Sequence, residues 1–268
     1  MELAGKVTLG QYLPLDSSIH RLDPRSKILA LILLVVLLFL VSDFRGYLLF
    51  LLLTILVLRL SQVPVGYALQ GLKPMLPILI LMWFFQLFFY PGAEGRVLFS
   101  LGPVRATLDG LFFGGLIITR VLFLFFFTTL LTLTTSLMAL TDGMESLLKP
   151  LTRVGFPAQE LAMVMVIALR FVPTLARELE RLMGAQMARG VNFKEGNFLQ
   201  RTKRILPLLL PLFISAFRRG EELILAMESR CYRGGGGRTR LRVLSFSSLD
   251  LRAALILVIF LIIFFMLG

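Results

Sequence analysis

Residues 111–140 read LFFGGLIITRVLFLFFFTTLLTLTTSLMAL, and Arg120 is the only charge among them. As a helix rising 1.5 Å per residue, a run of this kind is about 45 Å long. The hydrocarbon core of a bilayer is about 30 Å thick. A soluble domain of ordinary size has no interior able to surround such a segment on every side, whereas a bilayer does. Composition points the same way: 57% of the residues are hydrophobic, against about 45–50% in soluble domains. Only 16% are charged, yet the net charge is +12. An apolar and basic chain fits a membrane protein with a large cytoplasmic face. Nucleic-acid binding is excluded as a partner class, because soluble binders do not carry such runs. The single Cys231 rules out an intrachain disulfide. With His20 as the lone histidine, neither a metal site nor a cofactor is expected, and His20 is read as a partly exposed loop residue.

Four further apolar runs lie at 28–41, 47–58, 75–90 and 253–267. The first two flank SDFRG. One continuous helix would set Asp43 and Arg45 at mid-membrane, at roughly 2.5–3.5 kcal/mol each. A hairpin of two short spans avoids that cost. The third run holds Trp83, and Tyr90 is expected to mark its interfacial end. Residues 91–110, PGAEGRVLFSLGPVRATLDG, read as a loop with a strand-like turn. Gly110 and Gly114 form a small-xxx-small pair suited to close helix packing. The hydroxyls of TTLLTLTTS can bond back to their own helix or across to a neighbour.

Beyond residue 140 the chain turns basic, and its helical patterns become amphipathic. Asp142 is expected to cap a helix reaching about Val154. Pro157 opens another, kinked at Pro173. A third spans 198–232, with Pro207 and Pro211 inside and the glycines 234–237 behind it. The Met-rich stretch 161–167 reads equally as an adaptable surface or as plain helix core. Arg170 and Arg177 are expected to pair with Glu178 or Glu180. The fold class is therefore all-α membrane, with about five membrane helices and a cytoplasmic region of three amphipathic helices. The expected divisions are a cytoplasmic segment 1–27, membrane helices 28–140, a cytoplasmic region 141–249 and a last membrane helix 250–268. Arg21, Arg25 and Lys27 place the N-terminus in the cytoplasm by the positive-inside bias, and the basic 142–249 block falls on the same side.

Two arginines stand in similar settings: Ala188-Arg189-Gly190 and Ser229-Arg230-Cys231. Each lies where a helical pattern ends. Read plainly, each cation meets the negative end of a helix macrodipole, and Gly190 and Gly234 are ordinary terminators. The small flanking residues also leave room for a carboxylate on a docking partner to reach the guanidinium fork.

The chain resembles the transmembrane T component of energy-coupling factor (ECF) transporters, the EcfT/CbiQ family. The resemblance runs through GQYLPLDSSIHRLDPRSKIL, GLFFGGLIITR, FPAQELAMVMVIALRFVPTLARELERLMGAQMARG and RRGEELILAMESRCYRGG, and covers essentially the whole chain. The first of these is similar to the shared, general-module members. The family's Ala-Arg-Gly-like triplet is met outright at 188–190, while Ser229 and Cys231 depart from it at the flanks. The resemblance implies a lipid-embedded, prokaryotic cell-membrane subunit that is not itself an enzyme. Its partners would be two ABC-type ATPases, docked at Arg189 and Arg230, and a membrane-embedded S component that binds a vitamin or other micronutrient. A dedicated cobalt, nickel or biotin system is the alternative within the family. A self-sufficient transporter has only Arg120 to line a path. The chain carries neither a G-x-x-x-x-G-K-[ST] phosphate loop nor a Ser-His-Asp set.

Overall fold

A computed structural model describes residues 12–41, 43–89, 97–101, 104–193, 195, 197–232, 234 and 244–267. In chain order the elements are α1 (Pro24–Leu40), α2 (Phe44–Ser61), α3 (Val65–Gln70), a 3-10 turn (Lys73–Met75) and α4 (Leu76–Phe89). There follow a hairpin of β1 (Val97–Leu101) and β2 (Val104–Thr107), α5 (Leu108–Thr134), α6 (Leu137–Leu148) and a second 3-10 turn (Lys149–Val154). The last three helices are α7 (Ala158–Ala188), α8 (Phe198–Glu228) and α9 (Ser248–Leu267). The chain divides into two compact units, one made of 10–143 with 244–268, the other centred on 144–243.

The first unit is built on α1, α2, α5 and α9. Asp-Pro opens α1 by two familiar means. The Asp23 carboxylate accepts the Arg25 amide at 2.9 Å, and Pro24 takes a first-turn position where no amide is needed. The helix ends at Val41, whose carbonyl accepts a 2.8 Å hydrogen bond from the Arg120 guanidinium. Arg120 also lies 5.7 Å from the Phe39 ring centre. The one charge in the long apolar run thus closes a neighbouring helix's negative end. Asp43 and Arg45 sit exposed at the break between α1 and α2, as the hairpin reading required.

Phe50 of α2 is fully buried and forms the centre of the core. Phe260 of α9 meets it edge-on at 5.1 Å, with Phe123 at 5.9 Å and Phe127 at 6.2 Å from α5. Leu34, Leu37 and Leu38 of α1 complete the cluster. Lipid tails are as apolar as leucine, so helices in a bilayer associate through fit rather than through escape from water. Edge-to-face rings supply that fit. α4 approaches α5 through glycines: a Cβ on Gly110 would stand 3.0 Å from the carbonyls of Gln86 and Leu87, and one on Gly114 3.1 Å from Trp83. Thr128, Thr132 and Thr134 donate back to carbonyls of α5 itself.

The structure corrects two expected boundaries. The long apolar run breaks at Thr135–Ser136, where α5 stops and α6 begins. Ser136 accepts the Ala139 amide at 3.3 Å, so Ser136 caps α6 and Asp142 lies inside it. Tyr90, the charged part of the 91–96 loop and the glycines 235–237 fall outside the described residues.

Among the described residues, four helices are long and apolar enough to cross a membrane: Phe44–Ser61, Gly110–Thr134, Ala158–Ala188 and Ser248–Met266; Lys73–Phe88 is a shorter apolar helix. α1, with 17 residues, falls just short of the full-length candidates. Three of the five expected runs therefore match full-length candidates. The fourth candidate, α7, lies in the stretch read as a coupling helix, because its first half is aliphatic and its charges gather in the second.

In the second unit, α7 and α8 run unbroken through Pro173, Pro207 and Pro211. Among the described residues their only buried apolar side chains are Ala158, Ala162 and Leu208.

Candidate functional site

The two arginine triplets close α7 and α8 with the same backbone geometry. At the end of α7 the Val191 amide reaches back to the Gln186 carbonyl (3.0 Å) and the Gly190 amide to Met187 (2.9 Å). At the end of α8 the Tyr232 amide reaches Met227 (3.0 Å) and the Cys231 amide reaches Glu228 (2.9 Å). Each is a Schellman ending, a six-to-one bond enclosing a five-to-two bond. It requires one residue in the left-handed region, and Gly190 (φ 87°) and Cys231 (φ 56°) fill that position. Cysteine there carries a Cβ penalty that glycine does not. Gly234, expected to terminate α8, lies beyond the turn that Cys231 already makes.

Arg189 and Arg230 are the residues immediately before these left-handed positions, where the chain leaves the helix. Both side chains are exposed, and neither has an ion-pair partner among the described residues. A Cβ placed on Gly190 would meet nothing within 4 Å. Each guanidinium is therefore an open fork of donors at a helix tip.

Three contacts set how α7 and α8 lie against each other. Tyr232, just past α8, meets the Met163 sulfur near the start of α7 at 3.1 Å. Arg219 pairs with Glu178 at 3.4 Å near the middle of both. Arg204, early in α8, donates to the carbonyls of Asn192 and Glu195 in the connecting turn. The helices are antiparallel, which puts Arg189 and Arg230 at opposite ends of the pair, about 35 Å apart along it at 1.5 Å per residue. Glu178, expected to pair with a neighbour on its own helix, instead ties α7 to α8. The stretch 161–167 is mixed: Leu161, Val164 (62%) and Met165 (45%) are exposed, while Ala162 is buried.

Sequence reasoning placed both arginines at helix ends but did not see the equivalence of Gly190 and Cys231. The only signal was position, since each follows its arginine directly. No group of three or more His, Cys, Asp or Glu gathers as a metal site among the described residues.

Fold and site together define a helical membrane protein carrying a basic helical hairpin with an arginine fork at each end. Its sequence matches the family described as "CbiQ: Cobalt transport protein" over residues 16–243. It is 51% identical to the energy-coupling factor transporter transmembrane protein EcfT of Thermosediminibacter oceani, over 92% of each chain. It is 47% identical to the protein of that name from Clostridium kluyveri, over 93% of this chain and 92% of the relative. It is 46% identical to the one from Streptococcus equi, over 95% and 94%. The chain belongs to this family of energy-coupling factor transporter transmembrane components.

Proposed function

We propose that the chain is the coupling subunit of an ECF importer, joining two cytoplasmic ABC-type ATPases to a substrate-binding S component in the membrane. The observation that carries this reading is the pair of identical Schellman ends at opposite ends of one antiparallel hairpin. A lone exposed ion pair contributes only about 0–1 kcal/mol. Seated in a partner's groove, the same fork becomes a contact whose loss strands a buried charge. Two forks about 35 Å apart suit two partner molecules better than one, so Arg189 serves one ATPase and Arg230 the other. The ATPases supply the hydrolysis, and the helices carry their motion to the S component, which selects the vitamin or micronutrient. The N-terminus and the hairpin face the cytoplasm. The N-terminal segment and the EcfT relatives favour a shared module over a dedicated cobalt, nickel or biotin system.

The test is co-purification with ATPases and S component expressed together. Arg189→Glu with Arg230→Glu should cut ATPase recovery roughly tenfold or more while membrane insertion is unchanged. Undiminished recovery and uptake in that double variant would sink the reading.

A further inference from the structure

Residues 23–28 play no part in the docking reading, yet they draw together buried polar groups from four stretches of one unit. Asp23, Lys27, Thr134, Thr135 and Asp250 are all buried. The Asp250 carboxylate accepts the Ser247 amide at 2.8 Å, closing the first turn of α9, and with its other oxygen accepts the Asp23 amide at 2.8 Å. Asp23 meanwhile caps α1. One carboxylate thus joins two helix N-termini. Lys27 donates to the Thr134 carbonyl at 2.8 Å and the Thr135 hydroxyl at 3.2 Å, meeting the unpaired carbonyl end of α5. A third bond runs to the His20 carbonyl at 3.2 Å.

The 144–243 stretch leaves this unit after Gly143 and returns at Leu244. Both ends of that insertion rest on the same turn. A Cβ on Gly143 would stand 2.9 Å from the Pro24 ring and 3.2 Å from Ile28, so α6 lies hard against the start of α1. The Arg25 guanidinium donates to the Leu244 carbonyl at 3.1 Å and lies 5.4 Å from the Phe246 ring centre.

We infer that residues 23–28 form an anchoring clamp that fixes both chain exits to α1, so that work arriving through the inserted helices moves the membrane helices instead of being lost in slack linkers. The inference rests on the coupling reading above. Static stability alone is a poor account of the cluster, because apolar side chains of similar volume would hold these elements without burying ions. His20 Nε2, Asp23 Oδ2 and Arg25 Nε are also buried there without hydrogen-bond partners. Local rules are broken in this way where function, not stability, sets the arrangement. Asp23, Arg25 and Lys27 act here as positioning residues.

Arg25→Gln frees one exit, and Gly143→Val wedges the other. In the purified full chain, amides in 137–143 and 244–250 should exchange hydrogen roughly tenfold faster while α2 around Phe50 stays protected. Unchanged exchange at both exits would refute the clamp. In proteoliposomes with both ATPases and a riboflavin S component, riboflavin uptake should fall roughly tenfold while ATP hydrolysis is kept. Uptake and hydrolysis falling together, as a merely structural lesion would cause, or unchanged uptake with loosened exits, would refute the coupling role. The Arg189→Glu, Arg230→Glu chain separates the two ideas. It should lose its ATPases yet exchange normally at both exits. If it keeps its ATPases, the docking reading fails while the exchange result still decides the clamp.

Discussion

The α1–α2–α5–α9 core and the α7–α8 pair are made from similar residues and use them in opposite ways. Phe50 and Leu38 are fully enclosed, and Phe260 is nearly so. On α8, Phe217 is 72% exposed and Leu210 68%. The first region satisfies its apolar side chains within the chain, through interlocking rings and close glycine contacts. The second holds its two helices together by a few specific contacts and leaves its apolar faces for something else. Hydrophobicity therefore says little about which part of a membrane protein is core. Complementary shape from a second segment decides it.

The sharpest way to break that contrast is to truncate one phenylalanine in each region. Phe50→Ala should cost about 3–5 kcal/mol, read as a large fall in thermal unfolding temperature. Phe217→Ala should move it by less than about 0.5 kcal/mol. Equal losses would show that α8 packs within the chain after all. Next in size is Gly110→Val, which drives a side chain into the α4 carbonyls and should cost about 1–3 kcal/mol. Gly115→Val, on another face of the same helix where a Cβ meets nothing within 4 Å, serves as its control.

Within α7 and α8, the left-handed positions give a paired test. Gly190→Ala should destabilise by about 1 kcal/mol. Cys231→Gly should stabilise modestly, because it relieves roughly 1–2 kcal/mol of left-handed strain and gives back about 0.4–1 kcal/mol in unfolded-chain entropy. Cys231→Ser should leave uptake unchanged, since the exposed thiol has no assigned chemistry.

The smallest expected effect is a pH dependence confined to the first unit. Burial lowers the His20 pKa below its ordinary 6.5, and the nearby Lys27 charge adds to that, against opposing backbone hydrogen bonds. A histidine held neutral in the fold binds fewer protons than in the unfolded chain. Its contribution is complete above the ordinary value and is lost as pH falls below it. Unfolding temperature should drop modestly between pH 7.5 and pH 5.5, and His20→Gln should flatten the slope.

How much was legible depended on whether a feature is local. The Asp23-Pro24 start of α1, the split between α1 and α2 around Asp43, and the arginines at helix ends all follow from neighbours in the chain. The break at Thr135–Ser136 was missed because threonine and serine barely interrupt apolar periodicity, while Asp142 offered a more conspicuous cap. The positive-inside argument counted Lys27 as a free cytoplasmic charge, but Lys27 is 8% exposed and spends its ammonium on α5. Glu178 was matched to cations on its own helix because helical spacing says nothing about a second helix.

By itself the sequence determined that the chain belongs in lipid, where most helices start and stop, and that two cationic tips end α7 and α8. These depend on residue type and on spacing within a turn or two. The tertiary structure alone decided that the tips point to opposite ends of one pair, that Arg120 closes α1, and that Asp23 meets Asp250 across 227 positions. Contacts between distant segments arise from how whole helices pack, and no local period records them.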